Sequence, residues 1–207
     1  MKKLFLVLAV ISLFSCSNDD NSETSTQEFA YFKAKIDGQT TNLIQNTESD
    51  GAYYQQAGFG FHGNGFDRSY YYACTMMKND MNTEHPTLDL TFHHMTQTDD
   101  EAIETANFFT AFDVKPTNFI TTVQDSNDIK GISVTYTDAN GEYYSTLDGA
   151  QTSSVISYSS AETFTSGGLN YIKIKGTVTC MLYKQSDPTQ TKSLTNGEFK
   201  LTFVEYY

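Results

Sequence analysis

The chain has 207 residues, 25 Asp and Glu against 13 Lys and Arg, and a formal net charge of −12. That balance, with Arg68 its one arginine, excludes the basic footprint that nucleic acid demands. Tyr (14) and Phe (15) are abundant, Trp is absent, and Thr, Val and Ile are well represented, which favours strands over helices.

In chain order, the first segment reads as an export signal. Lys2 and Lys3 are basic, and Leu4 to Ile11 is an apolar run. A bilayer core needs about 20 such residues, so this run is too short to span one. A basic start, a short apolar stretch and a small residue before the cut are the marks of a secretory signal. Leu13-Phe14-Ser15-Cys16 resembles the lipobox of bacterial lipoproteins, with Phe14 bulkier than usual at its position. The resemblance implies that residues 1–15 are removed and that Cys16 carries the lipid attachment. Its thiolate is the natural nucleophile for a thioether to a glyceride. Acyl chains such as palmitate hold a protein at a membrane in pairs better than singly. Lys2 and Lys3 leave with the signal, so the expected mature chain is two units more negative.

Residues 16–28 carry Asp19, Asp20, Glu23 and Glu28 and no apolar side chain after Cys16. Such a stretch reads as a flexible acidic tether. It resembles the acidic tract of surface-exposed Bacteroidetes lipoproteins, which implies display on the outer membrane; the alternative is a linker facing the periplasm. Residues 29–207 are long enough for a single domain with its own core.

The domain reads as strands. Ala30, Phe32, Ala34 and Ile36 alternate with Lys33 and Lys35, then Asp37-Gly38 signals a two-residue hairpin. Tyr53 to Phe61 is a strand whose glycines suggest a close backbone approach. Ser69 to Met77 places Tyr70, Tyr72, Cys74 and Met76 on one face. Leu88, Leu90, Phe92 and His94 then alternate with Asp89, Thr91 and His93. Thr98 and Glu101 form a capping box, and Ala102, Ala106 and Phe109 follow at helical spacing, predicting a short helix over 99–109. Strands follow at Phe119 to Val123, Ile132 to Tyr136, Glu142 to Leu147, Val155 to Tyr158, Leu169 to Tyr183 and Glu198 to Tyr206. Gly176 suggests a bulge, and Asp187-Pro188 a chain break. About ten to twelve short strands with one helix predict an antiparallel β-sandwich, with a β-barrel as the alternative.

Phe32-Lys33-Ala34-Lys35-Ile36-Asp37-Gly38 near the start and Asn196-Gly197-Glu198-Phe199 near the end are similar to motifs of uncharacterised Bacteroidetes outer-membrane lipoproteins. Those chains often carry a Trp after the Asp-Gly turn, where this one has Thr41-Asn42. The resemblance implies a β-sandwich on a lipid tether and brings no catalytic residues with it.

The remaining constellations are weak. His93 and His94 are adjacent and so point to opposite faces of a strand. His94 reads as a core histidine and His93 as exposed. A zinc site would need them, or His62 and His85, to converge from separate strands. Asp125-Ser126-Asn127-Asp128 departs from a calcium loop at Ile129 and again at Tyr136, where a bidentate Glu is required. We therefore expect no metal and no cofactor, with a structural calcium in an acidic loop the exception. Cys74 and Cys180 lie in strand-like runs; they either form a disulfide, which an oxidising compartment permits, or pack as thiols. Tyr71, beside inward-facing neighbours, is expected to be exposed. No nucleophile elbow occurs. The expected function is a lipid-anchored, non-enzymatic binding or structural module, contacting the membrane through its lipid and a glycan or protein partner through its surface. The alternatives are a glycan-binding accessory protein of a polysaccharide uptake system and a hydrolase with an unrecognised carboxylate pair.

Overall fold

The period-two alternation of the sequence becomes ten strands in the computed structural model, which describes residues 28–46, 53–62, 69–78, 85–94, 108–109, 112–113, 116–121 and 130–205. They are β1 (Ala30–Ile36), β2 (Gln39–Gln45), β3 (Tyr54–His62), β4 (Ser69–Met77), β5 (Thr87–His94), β6 (Gly131–Thr137), β7 (Tyr143–Ser145), β8 (Val155–Ser166), β9 (Leu169–Lys184) and β10 (Asp187–Val204). They form one antiparallel sheet in the order β2-β1-β10-β9-β7-β6-β5-β4-β3, with β8 also paired to β9. β9 is shared along one edge: β8 takes Leu169 to Thr179, and β7 takes Tyr183 and Lys184.

The all-β antiparallel class expected from the sequence is what the chain adopts. Its opposing layers belong to one continuous sheet that curls over a single core. Phe92 of β5 meets Phe203 of β10 edge to face, ring centroids 5.0 Å apart. Phe112 fits between them, 4.8 Å from Phe92 and 5.0 Å from Phe203. The curl brings the outer strands β2 and β3 together, where side chains join them. The Gln55 backbone N–H donates to Gln45 Oε1 at 3.0 Å, and the Thr202 N–H of β10 donates to Gln55 Oε1 at 2.9 Å.

Local chemistry sets the turns and bulges. Asp37 (φ 48°) and Gly38 (φ 78°) form a two-residue hairpin loop, and Asp37 Oδ1 accepts from the Ser193 N–H at 2.7 Å. The Asn196-Gly197 motif is a bulge in β10. Asn196 is left-handed (φ 51°), and the register with β9 shifts between Leu194 and Gly197. The irregularity expected at Gly176 lies opposite it, in β8 between Tyr158 and Ser160. A Cβ on Gly176 would run into the Ser157 carbonyl and the Phe199 ring.

Some boundaries differ from expectation. β8 continues past Tyr158 to Ser166, and β10 starts at Asp187 rather than Glu198, so Asp187-Pro188 opens a strand instead of breaking the chain. Phe119 contributes a single parallel bridge to Ile132, and 122–123 lie outside the described residues. Of the predicted helix, 99–107 lie outside the described residues; Phe108 and Phe109 are helical, as are Phe112 and Asp113. Cys16, the tether to Gln27, and Asp125 to Ile129 also lie outside them. Glu28, the last residue of the expected tether, is held by the domain: Lys33 Nζ reaches both its carboxylate oxygens at 2.7 Å, and Lys200 Nζ its carbonyl at 2.7 Å.

Cys74 and Cys180 are buried free thiols, so of the two arrangements left open by the sequence the structure shows packing. Burial pushes both thiols up, with Asp89 adding to the effect at Cys74 and a hydrogen bond from the Thr202 backbone opposing it. Both are therefore neutral at physiological pH and unsuited to act as nucleophiles.

Candidate functional site

The strand parity that fills the core leaves a polar face on the other side of β4 to β7. On β5, Leu88, Leu90 and Phe92 are buried in the core, while Asp89, Thr91 and His93 point the opposite way. With Tyr71 and Thr75 of β4, Ser133, Thr135 and Thr137 of β6, and Tyr143 of β7, they line an open depression of about 350 Å³. Leu147, in the short 3₁₀ turn Thr146–Asp148, closes one side. The volume falls in the range of small-molecule sites.

Asp89 is the centre of the floor. Thr91 donates from Oγ1 to Asp89 Oδ1 at 2.6 Å, and Thr75 donates from Oγ1 to Oδ2 at 2.7 Å. Burial holds its carboxyl above the usual carboxylate range, and the two hydroxyl donors work against that shift. Each oxygen retains lone-pair capacity beyond its one threonine donor.

His93 departs from the sequence reading. Its predicted side of the strand is right, yet it is only 5 % exposed, because neighbouring strands enclose it. Its Nε2 lies 2.9 Å from Ser133 Oγ on β6, and its ring centre is 6.1 Å from that of Tyr71 on β4. Tyr71, expected to be exposed, is half-buried at the rim, its ring lying over the backbone of Gly60 on β3. A Cβ at Gly60 would overlap the Tyr71 ring, which is the close approach the glycine-rich strand suggested. At the far rim Tyr143 is 37 % exposed, with its hydroxyl 3.3 Å from Thr135 Oγ1.

The other sequence candidates do not gather here. His85 lies near Lys78 Nζ at 3.4 Å, and the side chains of His62 and His94 are outside the described set. Among the described residues no three His, Cys, Asp or Glu side chains form a metal-binding group. Tyr136, the position where a calcium loop would need Glu, faces the core. Asp89 is the one carboxylate among the described residues lining the depression, whereas glycoside hydrolysis uses two, about 5–9 Å apart.

Sequence reasoning passed over Thr75 and Ser133, and gave Asp89 no role beyond its place in the alternation of β5. One signal was present: Asp is disfavoured within strands, and Asp89 sits between Leu88 and Leu90 in the middle of one. Comparisons with protein-family models, with curated proteins and with solved structures found no match to this chain.

Proposed function

We propose that the chain is a lipid-anchored lipoprotein of the outer membrane, displayed at the cell surface, whose β-domain is a non-enzymatic binding module. The anchor reading rests on the basic and apolar start, the Leu13-Phe14-Ser15-Cys16 sequence and its likeness to Bacteroidetes lipoproteins. The binding reading is carried by one observation, the depression over Asp89. The Asp89 carboxylate, oriented by two threonine hydroxyls, stands among a lining of Thr, Ser, His and Tyr side chains. Such a lining favours a small polar ligand that donates hydrogen bonds to Asp89, and the reading invokes no cofactor.

A second reading, the glycan-binding accessory protein, is favoured by the two tyrosines. Tyr71 and Tyr143 stand at opposite rims of a hydroxyl-lined floor, where rings can stack on the apolar face of a sugar. Two experiments test these readings. Cys16→Ser is expected to move the protein from the membrane fraction to the soluble fraction, and unchanged membrane partitioning refutes the anchor. A ligand and glycan screen with the unacylated chain is expected to find binders that Asp89→Ala loses. Binders that Asp89→Ala retains refute this site, and a screen in which non-carbohydrates alone bind refutes the glycan reading.

A further inference from the structure

A second feature lies on the opposite half of the sheet, where β9 and β10 carry lysines on their outward face. Lys200 of β10 is directly opposite Lys175 of β9, and Lys173 is opposite Thr202, its neighbour on the same face. Like charges facing each other across a ladder destabilise it. Among the described residues none of the three lysines makes an ion pair within 4 Å, although Glu162 of β8 is directly opposite Lys173. Burial together with Lys175 and Lys173 pulls the Lys200 ammonium below its ordinary range, against the opposing pull of Glu28 and Glu162. Among the described residues, the carboxylates near these lysines are Glu28, already paired with Lys33, together with Glu162 and Glu198.

Aromatic rings border the lysines. Lys173 Nζ is 5.3 Å from the Phe164 ring centre and 5.7 Å from that of Phe29. Phe164 is 38 % exposed and stacks on Tyr171 at 5.1 Å. All of this lies where the chain enters the domain, since Lys200 Nζ holds the Glu28 carbonyl. Cys16 is only twelve residues before Glu28. That length reaches at most about 40 Å in any conformation.

We infer that this end of the domain docks on the membrane that holds its lipid, with Lys173, Lys175 and Lys200 on the phosphates of anionic headgroups and Phe164 and Tyr171 at the interface. The inference rests on the anchor at Cys16. A chain that is strongly acidic overall has set a cluster of lysines and exposed rings beside its point of attachment. Cationic and aromatic side chains together are the usual composition of a membrane-surface contact. Docking would fix an orientation in which the Asp89 depression, on the other half of the sheet, stays open to ligand.

The test uses residues 16–207 with Cys16→Ser, so that no acyl chain contributes, in co-sedimentation with vesicles. Binding is expected to vesicles of equal parts phosphatidylcholine and phosphatidylglycerol and not to phosphatidylcholine alone, and it should weaken with added salt. The triple change Lys173→Gln, Lys175→Gln, Lys200→Gln should lower the partition coefficient about a hundredfold, at roughly fivefold per lysine. Because it removes an opposed like-charge pair along with the Lys200 bond to the Glu28 carbonyl, its melting temperature should stay close to that of the parent. Equal binding to both vesicle types, no binding to either, or an unaltered triple variant overturns the inference. Competition by inorganic phosphate at ordinary salt also overturns it, since the site would then serve the free ion. Failure of the anchor is read separately, from the acylated chain in cells.

Discussion

The two hydrogen bonds to Asp89 allow the site to be tested without knowing its ligand. Thr75→Val keeps the side-chain shape and removes a 2.7 Å donor to a buried carboxylate. A hydrogen bond to a charged group contributes about 1.5–3 kcal/mol, so a loss near 2 kcal/mol is expected at any pH where Asp89 is ionised. For a domain of this size that lowers Tm by roughly 4–8 °C. Asp89→Asn alone should raise stability at any pH where the native carboxyl is ionised, because it removes a charge that burial disfavours while keeping an acceptor for one threonine and a donor for the other. In that background Thr75→Val should have less than half its effect, giving a coupling of about 1 kcal/mol in urea unfolding. The pH dependence has a definite sign. The folded-state pKa of Asp89 is raised, so the native state binds the proton more readily than the unfolded chain. The contribution of Asp89 to stability therefore grows as pH falls from the raised native value towards the unfolded one. The Thr75→Val loss should shrink as pH falls to the raised native value, where the folded protein takes up the proton and the hydroxyl no longer faces a charge. Equal losses in both backgrounds, or a loss that does not change with pH, would show that Thr75 acts through packing rather than through Asp89.

Phe92→Ala removes a ring that contacts Phe112, Tyr158 and Phe203, and should lose about 3–5 kcal/mol in denaturant unfolding. Gly176→Ala forces a Cβ onto the Ser157 carbonyl and Phe199, and should lower stability by at least about 2 kcal/mol, whereas Gly58→Ala, with open space at its Cβ, should change it by no more than about 0.5 kcal/mol. Gln55→Leu leaves the Thr202 N–H without its acceptor at the seam, so a loss of about 1–3 kcal/mol and faster amide exchange at Thr202 are expected.

The legible parts of the sequence were those in which one local rule decided the outcome. Asp37-Gly38 makes its turn because both residues accept positive φ, and β1, β4 and β5 show their inward faces through strict alternation. β8 was legible only to Tyr158. From Ser160 to Ser166 both faces are exposed and carry no apolar stripe, so the pairing of its backbone with β9 is what defines it. The start of β10 was hidden by Pro188, which sits where the register between Asp187 and Thr191 is irregular. His93 shows a different limit. Its side of the strand follows from parity, but its burial depends on Ser133, forty residues away on β6. The Asp89 site was illegible for the same reason, being assembled across four strands by pairings that no local pattern encodes.

Those pairings also explain why the candidate ligand face is on the outside of the curl. The inside is occupied by rings: Tyr72 is 5.0 Å from Phe108, Phe108 is 5.1 Å from Phe112, and Phe112 is 4.8 Å from Phe92. A ligand entering there would have to displace close-packed aromatic contacts, each stabilising by about 0.5–1.5 kcal/mol beyond the area it buries. The outer face has no such filling, and its polarity is tied to the core by strand geometry. Slipping β5 by one residue would turn Leu88, Leu90 and Phe92 to water and drive Asp89 and His93 inward, so the packing of those three side chains enforces the register that presents Asp89. Core substitutions that loosen β5 should therefore weaken ligand binding at the depression even though they touch none of its lining.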